Sequence, residues 1–208
     1  NDDYPLDATR CEAQNPDDFY SYPGYTGVYP NFTLAIDDRF NALDSTIWET
    51  GDGGFNENDC RFQPQGVQFN NGSMELTITE DAVAASNSVS NGNQMVAAKD
   101  YTCGELRSKE KILYGRLEAR VRTPKAEVAS GYISSLFTYL NDADDGFRWR
   151  EIDVEMEGAR PTKFQRNLIF GENTWRWNET RAWGAYEEVM EIGDTSEWRV
   201  YAIEWTEN

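Results

Sequence analysis

The chain has 208 residues, 39% of them hydrophobic and 13% aromatic, enough to bury one sizeable core, and it lacks any run of about eighteen apolar residues that could cross a membrane as a helix. Its 37 acids against 19 bases give a net charge of -18, which repels nucleic acid and anionic membranes and disfavours a highly sulfated polysaccharide. Histidine is absent, which removes Ser-His-Asp and Cys-His nucleophiles and His-based zinc sites and leaves carboxylate chemistry.

In chain order, residues 1–30 are rich in Asp, Tyr, Pro and Gly and are expected as an irregular extension lying on the domain. The N-terminal Asn1-Asp2-Asp3-Tyr4 has no basic or apolar signal region, so an export signal is expected to have been removed. A single domain, residues 31–208, follows. Gly66-Val67-Gln68-Phe69 and Met74 to Thr79 alternate around the turn Asn70-Asn71-Gly72, and Gly115 to Arg122 alternates again. Asp81 to Asn93, with its Ala, Ser and Asn, is expected as a loop. Further strands are expected at Tyr132 to Tyr139, Arg150 to Glu157, Lys163 to Phe170 and Trp198 to Trp205. The last has no hairpin partner after it and is expected to be an unpaired edge. No long stretch has the helical period, and there is no internal repeat. The pattern predicts an all-β sandwich or barrel.

One strand differs from the rest. Glu151-Ile152-Asp153-Val154-Glu155-Met156-Glu157 puts an acid at every second position. Successive side chains of a strand point to opposite faces, so Glu151, Asp153, Glu155 and Glu157 share one face while Ile152, Val154 and Met156 face the core. Like charges so placed repel unless protons are shared or a substrate answers them. A merely solvated acidic face is the alternative. The chemistry that suits the spacing is retaining glycoside hydrolysis, which needs two carboxyl groups about 5–5.5 Å apart, one a nucleophile and one a proton donor. The Cα atoms of Glu151 and Glu155 would lie about 13 Å apart at the rise of a strand. Their side chains must then lean together over Asp153, which would share a proton with the nucleophile.

Aromatic residues surround this strand: Phe137, Tyr139, Phe147 and Trp149 before it, Trp175, Trp177 and Trp183 after it. They suit either a core or a sugar-stacking surface. Trp175-Arg176-Trp177 favours the second, because both indoles fall on one face in a polar context. Cys11, Cys60 and Cys103 are too far apart for a zinc cluster and suit disulfide use, with one thiol left over. Sequons at Asn31, Asn71 and Asn178 are compatible with secretion.

The runs Cys103 to Ser108, Ser134 to Tyr139, Trp149 to Glu155, Pro161 to Asn167 and Tyr201 to Trp205 occur in the order found in bacterial lichenases, endo-β-1,3-1,4-glucanases of glycoside hydrolase family sixteen, which the chain resembles over roughly residues 32–208. The resemblance implies a concanavalin-like jelly roll of two antiparallel sheets with a concave cleft, and retention of anomeric configuration. It implies Glu151 as nucleophile, Asp153 as assisting acid and Glu155 as general acid/base, with Glu105, Arg107, Phe137, Tyr139, Trp149, Gln165 and Asn167 gripping the glucan and Cys60 bridged to Cys103. Trp175 and Trp177 are added as candidate substrate contacts from their own pattern.

The chain departs from the family at Ile169, where lichenases present a cleft tyrosine, in the loop Gly51 to Asp59, and in residues 1–30. The family also continues past the counterpart of Trp205 with strands of the same sheets, so a second polypeptide is expected to supply them, with Cys11 available to bond to it. The expected protein is a secreted endo-glycanase acting on a neutral β-glucan, mixed-linkage glucan first. Xyloglucan, laminarin or a red-algal galactan is the alternative substrate, and a non-catalytic carbohydrate-binding homologue the alternative class. No cofactor or catalytic metal is expected. A structural calcium ion is compatible with the reading.

Overall fold

A computed structural model describes residues 32–55, 58–88, 94–142, 148–172 and 184–207. The expected extension at 1–30, the sequons at Asn31 and Asn178, Cys11, Phe147, Trp175, Trp177 and Trp183 lie outside them. Leu34–Leu113 and Tyr114–Asn208 fall in separate compact units.

The first unit carries β1 (Trp48–Thr50), β2 (Cys60–Phe62), β3 (Val67–Asn70), β4 (Ser73–Leu76), β5 (Ile78–Thr79), β6 (Ser86–Ser88), β7 (Gln94–Val96), β8 (Tyr101–Cys103) and β9 (Leu106–Ser108). β1 pairs with β9, β3 with β4, β6 with β7, and β8 lies between β2 and β5. The β3–β4 hairpin turns at Asn71 and Gly72, whose φ values of 51° and 73° are those of a type I′ turn, which an Asn-Gly pair adopts at little cost. β6, Ser86–Ser88, lies inside the stretch expected as a loop and pairs with β7. Three residues of small polar side chains carry no readable period, and the pairing partner alone makes them a strand.

Parallel pairing of β2 with β8 brings Cys60 and Cys103 together, and they form a disulfide with Cα atoms 5.9 Å apart. Beside it the backbones of Gly66 and Gly104 pass so closely that a Cβ on Gly104 would stand 2.1 Å from the Gly66 carbonyl oxygen. Only glycine fits there. Gly104 stands two residues before β9, which carries Arg107.

The second unit carries β10 (Gly115–Val121), β11 (Ile133–Asp142), β12 (Arg148–Glu157), β13 (Lys163–Glu172), β14 (Gly184–Glu191) and β15 (Arg199–Trp205). β11 to β14 form an antiparallel sheet in chain order, with β12 and β13 inside it. β15 is not unpaired. It runs antiparallel to β10 from Gly115↔Trp205 to Val121↔Arg199, so its partner comes from far back in the chain rather than from a following hairpin.

Alternation decides what each strand buries. Val154 and Met156 of β12 and Tyr201 and Ile203 of β15 form the buried core, with Val121, Leu136, Ile152, Phe164, Ile192 and Trp205 packed against it. Tyr201 meets Phe164 edge-on, ring centres 6.2 Å apart, an arrangement favoured by the ring quadrupoles. Met156 has no exposed surface. Its neighbours in the sequence, Glu155 and Glu157, point the other way, so the core fixes the face on which the acids stand.

Candidate active site

β12 is hydrogen-bonded on both edges, and the registers show what surrounds each acid. Glu151 lies opposite Tyr139 of β11 and Ile169 of β13, Asp153 opposite Phe137 and Asn167, and Glu155 opposite Ser135 and Gln165. Directly opposed residues of a ladder share a face. Phe137, Tyr139, Gln165 and Asn167 therefore stand beside the acids, and Trp149, two positions before Glu151, stands on the same face. Tyr139 is 52% exposed. Ile169 puts an aliphatic side chain next to Glu151.

Each acid has a distinct set of partners. Trp149 Nε1 donates to Glu151 Oε2 at 2.6 Å. Asn167 Nδ2 donates to Glu155 Oε2 at 2.7 Å and is itself held by Gln165 Nε2, which donates to Asn167 Oδ1 at 3.1 Å. Asp153, between the two glutamates, is only 5% exposed and hydrogen-bonds both Glu151 and Asn167.

Electrostatics separates them further. Burial, then the negative charges of Glu151 and Glu155, push the Asp153 carboxyl from its usual 3.8 up to about 8. Burial, with the charge of Glu155 adding to it, raises Glu151 as well, and donors from Trp149 and Asp153 oppose that rise without cancelling it. Asp153 thus holds a proton at neutral pH and donates it to the Glu151 carboxylate. An indole N–H and a carboxylic O–H both orient the Glu151 carboxyl and favour its ionised form, which is what a nucleophile needs.

In the other unit, Glu105 and Arg107 sit on and just before β9. Arg107 pairs with Glu105 at 3.8 Å and with Glu49 of β1 at 3.5 Å. Burial raises the Glu105 carboxyl and Arg107 opposes the rise. A Cβ on Gly51 would stand 2.3 Å from Glu105 Oε2, so the absence of a side chain there makes room for this carboxylate. Among the described residues no group of three His, Cys, Asp or Glu side chains is spaced to hold a metal ion.

Two features escape a reading of the sequence. The amides of Gln165 and Asn167, expected to grip substrate, are joined to each other and to Glu155. Arg160, in the turn after β12, is bonded to both Glu157 and Gln165. The only sequence signal for the second is an acid and a base three positions apart at a strand end.

A family model described as glycosyl hydrolases family 16 matches residues 55–208. The beta-glucanase of Bacillus subtilis (strain 168) is 30% identical over 176 residues, covering 82% of this chain and 61% of the relative. The beta-glucanase of Fibrobacter succinogenes (strain ATCC 19169 / S85) is 32% identical over 137 residues, covering 65% of this chain and 37% of the relative. The chain thus spans between about a third and three-fifths of the length of these relatives. A solved beta-1,3-1,4-glucanase (lichenase) derived from a mouse hindgut metagenome superposes with a TM-score of 0.60 at 28% identity, covering 82% of this chain and 70% of that one. The alternating strands give the all-β class expected of them, and the jelly roll is the one that the family resemblance implied.

Proposed function

Because the chain belongs to glycosyl hydrolases family 16, we propose that it is a retaining endo-glycanase that cleaves mixed-linkage β-1,3-1,4-glucan with the acids of β12. One observation carries the reading. Three carboxyl groups alternate on the open face of a central strand, and each has partners that suit a different task. Glu151, kept anionic by Trp149 and Asp153, attacks the anomeric carbon as Glu155 delivers a proton to the departing glycosidic oxygen. The C–O bond to the leaving sugar breaks and an ester to Glu151 forms. Glu155, now a carboxylate, takes a proton from water, whose oxygen attacks the same carbon and displaces Glu151. Two inversions return the original configuration.

Tyr139, Phe137 and Trp149 give the face aromatic surface on which a neutral sugar ring can stack, and the excess of negative charge suits a neutral polymer over a sulfated one. The relatives named beta-glucanase support a glucan backbone. The Cys60–Cys103 disulfide and the sequons support export to an oxidising compartment.

Incubation of the purified protein with lichenan, laminarin, xyloglucan and agarose, followed by proton NMR during the first turnovers, tests the proposal. Lichenan should be cut fastest, with the β-anomer appearing first. The α-anomer first would exclude a double displacement. Binding to lichenan without any cleavage would favour a carbohydrate-binding homologue.

A further inference from the structure

A chain of hydrogen bonds runs from the turn after β12 into the acids. Arg160 Nε donates to Glu157 Oε2 at 2.9 Å, and Nη2 bonds the same carboxylate. Arg160 Nη2 also donates to Gln165 Oε1 at 2.8 Å. Beyond it come the links from Gln165 to Asn167 and from Asn167 to Glu155 Oε2.

An amide side chain can turn over and exchange its oxygen with its NH2 group, so by itself it presents either a donor or an acceptor. A guanidinium has donors alone. Arg160 therefore demands the oxygen of Gln165, which turns the Gln165 NH2 toward Asn167. That NH2 demands the oxygen of Asn167, and the Asn167 NH2 is left for Glu155. Polarity set at Arg160 is passed along both amides.

We propose that Arg160, anchored by Glu157, is a positioning residue that fixes the two amides so that Glu155 receives an N–H at Oε2 and carries its transferable proton on Oε1. The proposal rests on Glu155 acting as the general acid. Once Glu155 has given up its proton, the Asn167 N–H meets a full carboxylate, and hydrogen bonds to ionised acceptors are the stronger ones. The relay thus favours the state reached on proton transfer. Without Arg160 the Gln165 amide can turn over and set its oxygen against that of Asn167. This repulsion works against the hold that Asp153 and Glu155 keep on the Asn167 NH2, and where Asn167 gives way its oxygen competes with the glycosidic oxygen for the same proton.

The variants are Arg160→Met, which keeps the aliphatic stem without donors, and Arg160→Lys, whose ammonium also has donors alone. In the full chain, Arg160→Met should lower kcat/KM on lichenan on the order of 10- to 100-fold, the scale of a misplaced catalytic group. It should leave kcat/KM on a 2,4-dinitrophenyl β-glycoside unchanged, because that leaving group needs no proton. Arg160→Lys should restore most of the lichenan rate. Independently, 15N-labelled protein should show the NH2 protons of Gln165 and Asn167 at hydrogen-bonded shifts and with slow exchange against solvent, both of which persist in Arg160→Lys and move toward those of a solvated amide in Arg160→Met. Equal losses on both substrates would overturn the relay, as would unaltered amide signals in Arg160→Met. Should Glu155→Ala cleave lichenan at the unsubstituted rate, the role of Glu155 as general acid fails, and the amide signals alone decide whether Arg160 sets the two orientations.

Discussion

Asp153 is where burial and charge act in one direction, since loss of water and two neighbouring carboxylates all oppose its ionisation. Its carboxyl titrates near 3.8 when unfolded and at about 8 when folded, so between those values the folded state holds a proton that the unfolded state has released. The stabilising contribution is complete below the lower value and is lost as pH rises through about 8. Asparagine mimics the protonated form, and Asp153→Asn should therefore lose less stability than the unsubstituted protein between pH 4 and pH 8, read as urea midpoints across that range. Parallel curves would place the proton elsewhere. Glu151 and Glu155 differ in another way. Glu155→Ala removes only proton transfer, so turnover of glucan should fall about 10²- to 10⁴-fold while an activated aryl glycoside is still accepted. Added azide should then yield a glycosyl azide of retained configuration. Glu151→Gln should abolish turnover of every substrate, and any azide product it forms should be inverted. A retained azide from the Glu151 variant would exchange the two roles.

The strands that can be read from the sequence are those whose two faces meet different surroundings. β10, β12, β13 and β15 alternate because one side of each faces the core, and the Asn-Gly turn of β3–β4 follows from the left-handed backbone those residues tolerate. β1, β2, β6, β7, β8 and β9 have three residues each, too few to show a period, and exist because a partner is present. Partners themselves are not written locally. The pairing of β15 with β10, against the expectation of an unpaired strand, depends on the fold closing a long loop. The face of β12 that bears the acids was legible for the same reason as its core face. Arg160 was not, because its role lies in two amides that must turn together. Elsewhere the ladder is reinforced covalently. The Cys60–Cys103 bridge closes a loop of 43 residues, for which the chain-entropy relation gives about 4 kcal/mol. Replacing both cysteines by serine should lower unfolding stability by about that amount, and peptide mapping without reduction should recover the two cysteines linked. Two free thiols in freshly purified protein would remove this term.

For the molecule as a whole, the inner face of the four-stranded sheet offers more apolar surface than the described residues cover. Phe164 at one end of β13 packs against Tyr201, but Leu168 and Phe170, on the same face of the same strand, remain 44% and 42% exposed. Completing their burial would contribute on the order of 1 kcal/mol each. An apolar sheet face left in water is also a template for aggregation. The 208-residue chain should therefore bind a hydrophobic dye through this face. Serine at both Leu168 and Phe170 should cut that binding while leaving the acids of β12 in place, read as dye fluorescence beside turnover of lichenan. Dye binding unchanged in the double variant would show that other parts of the protein cover the two side chains.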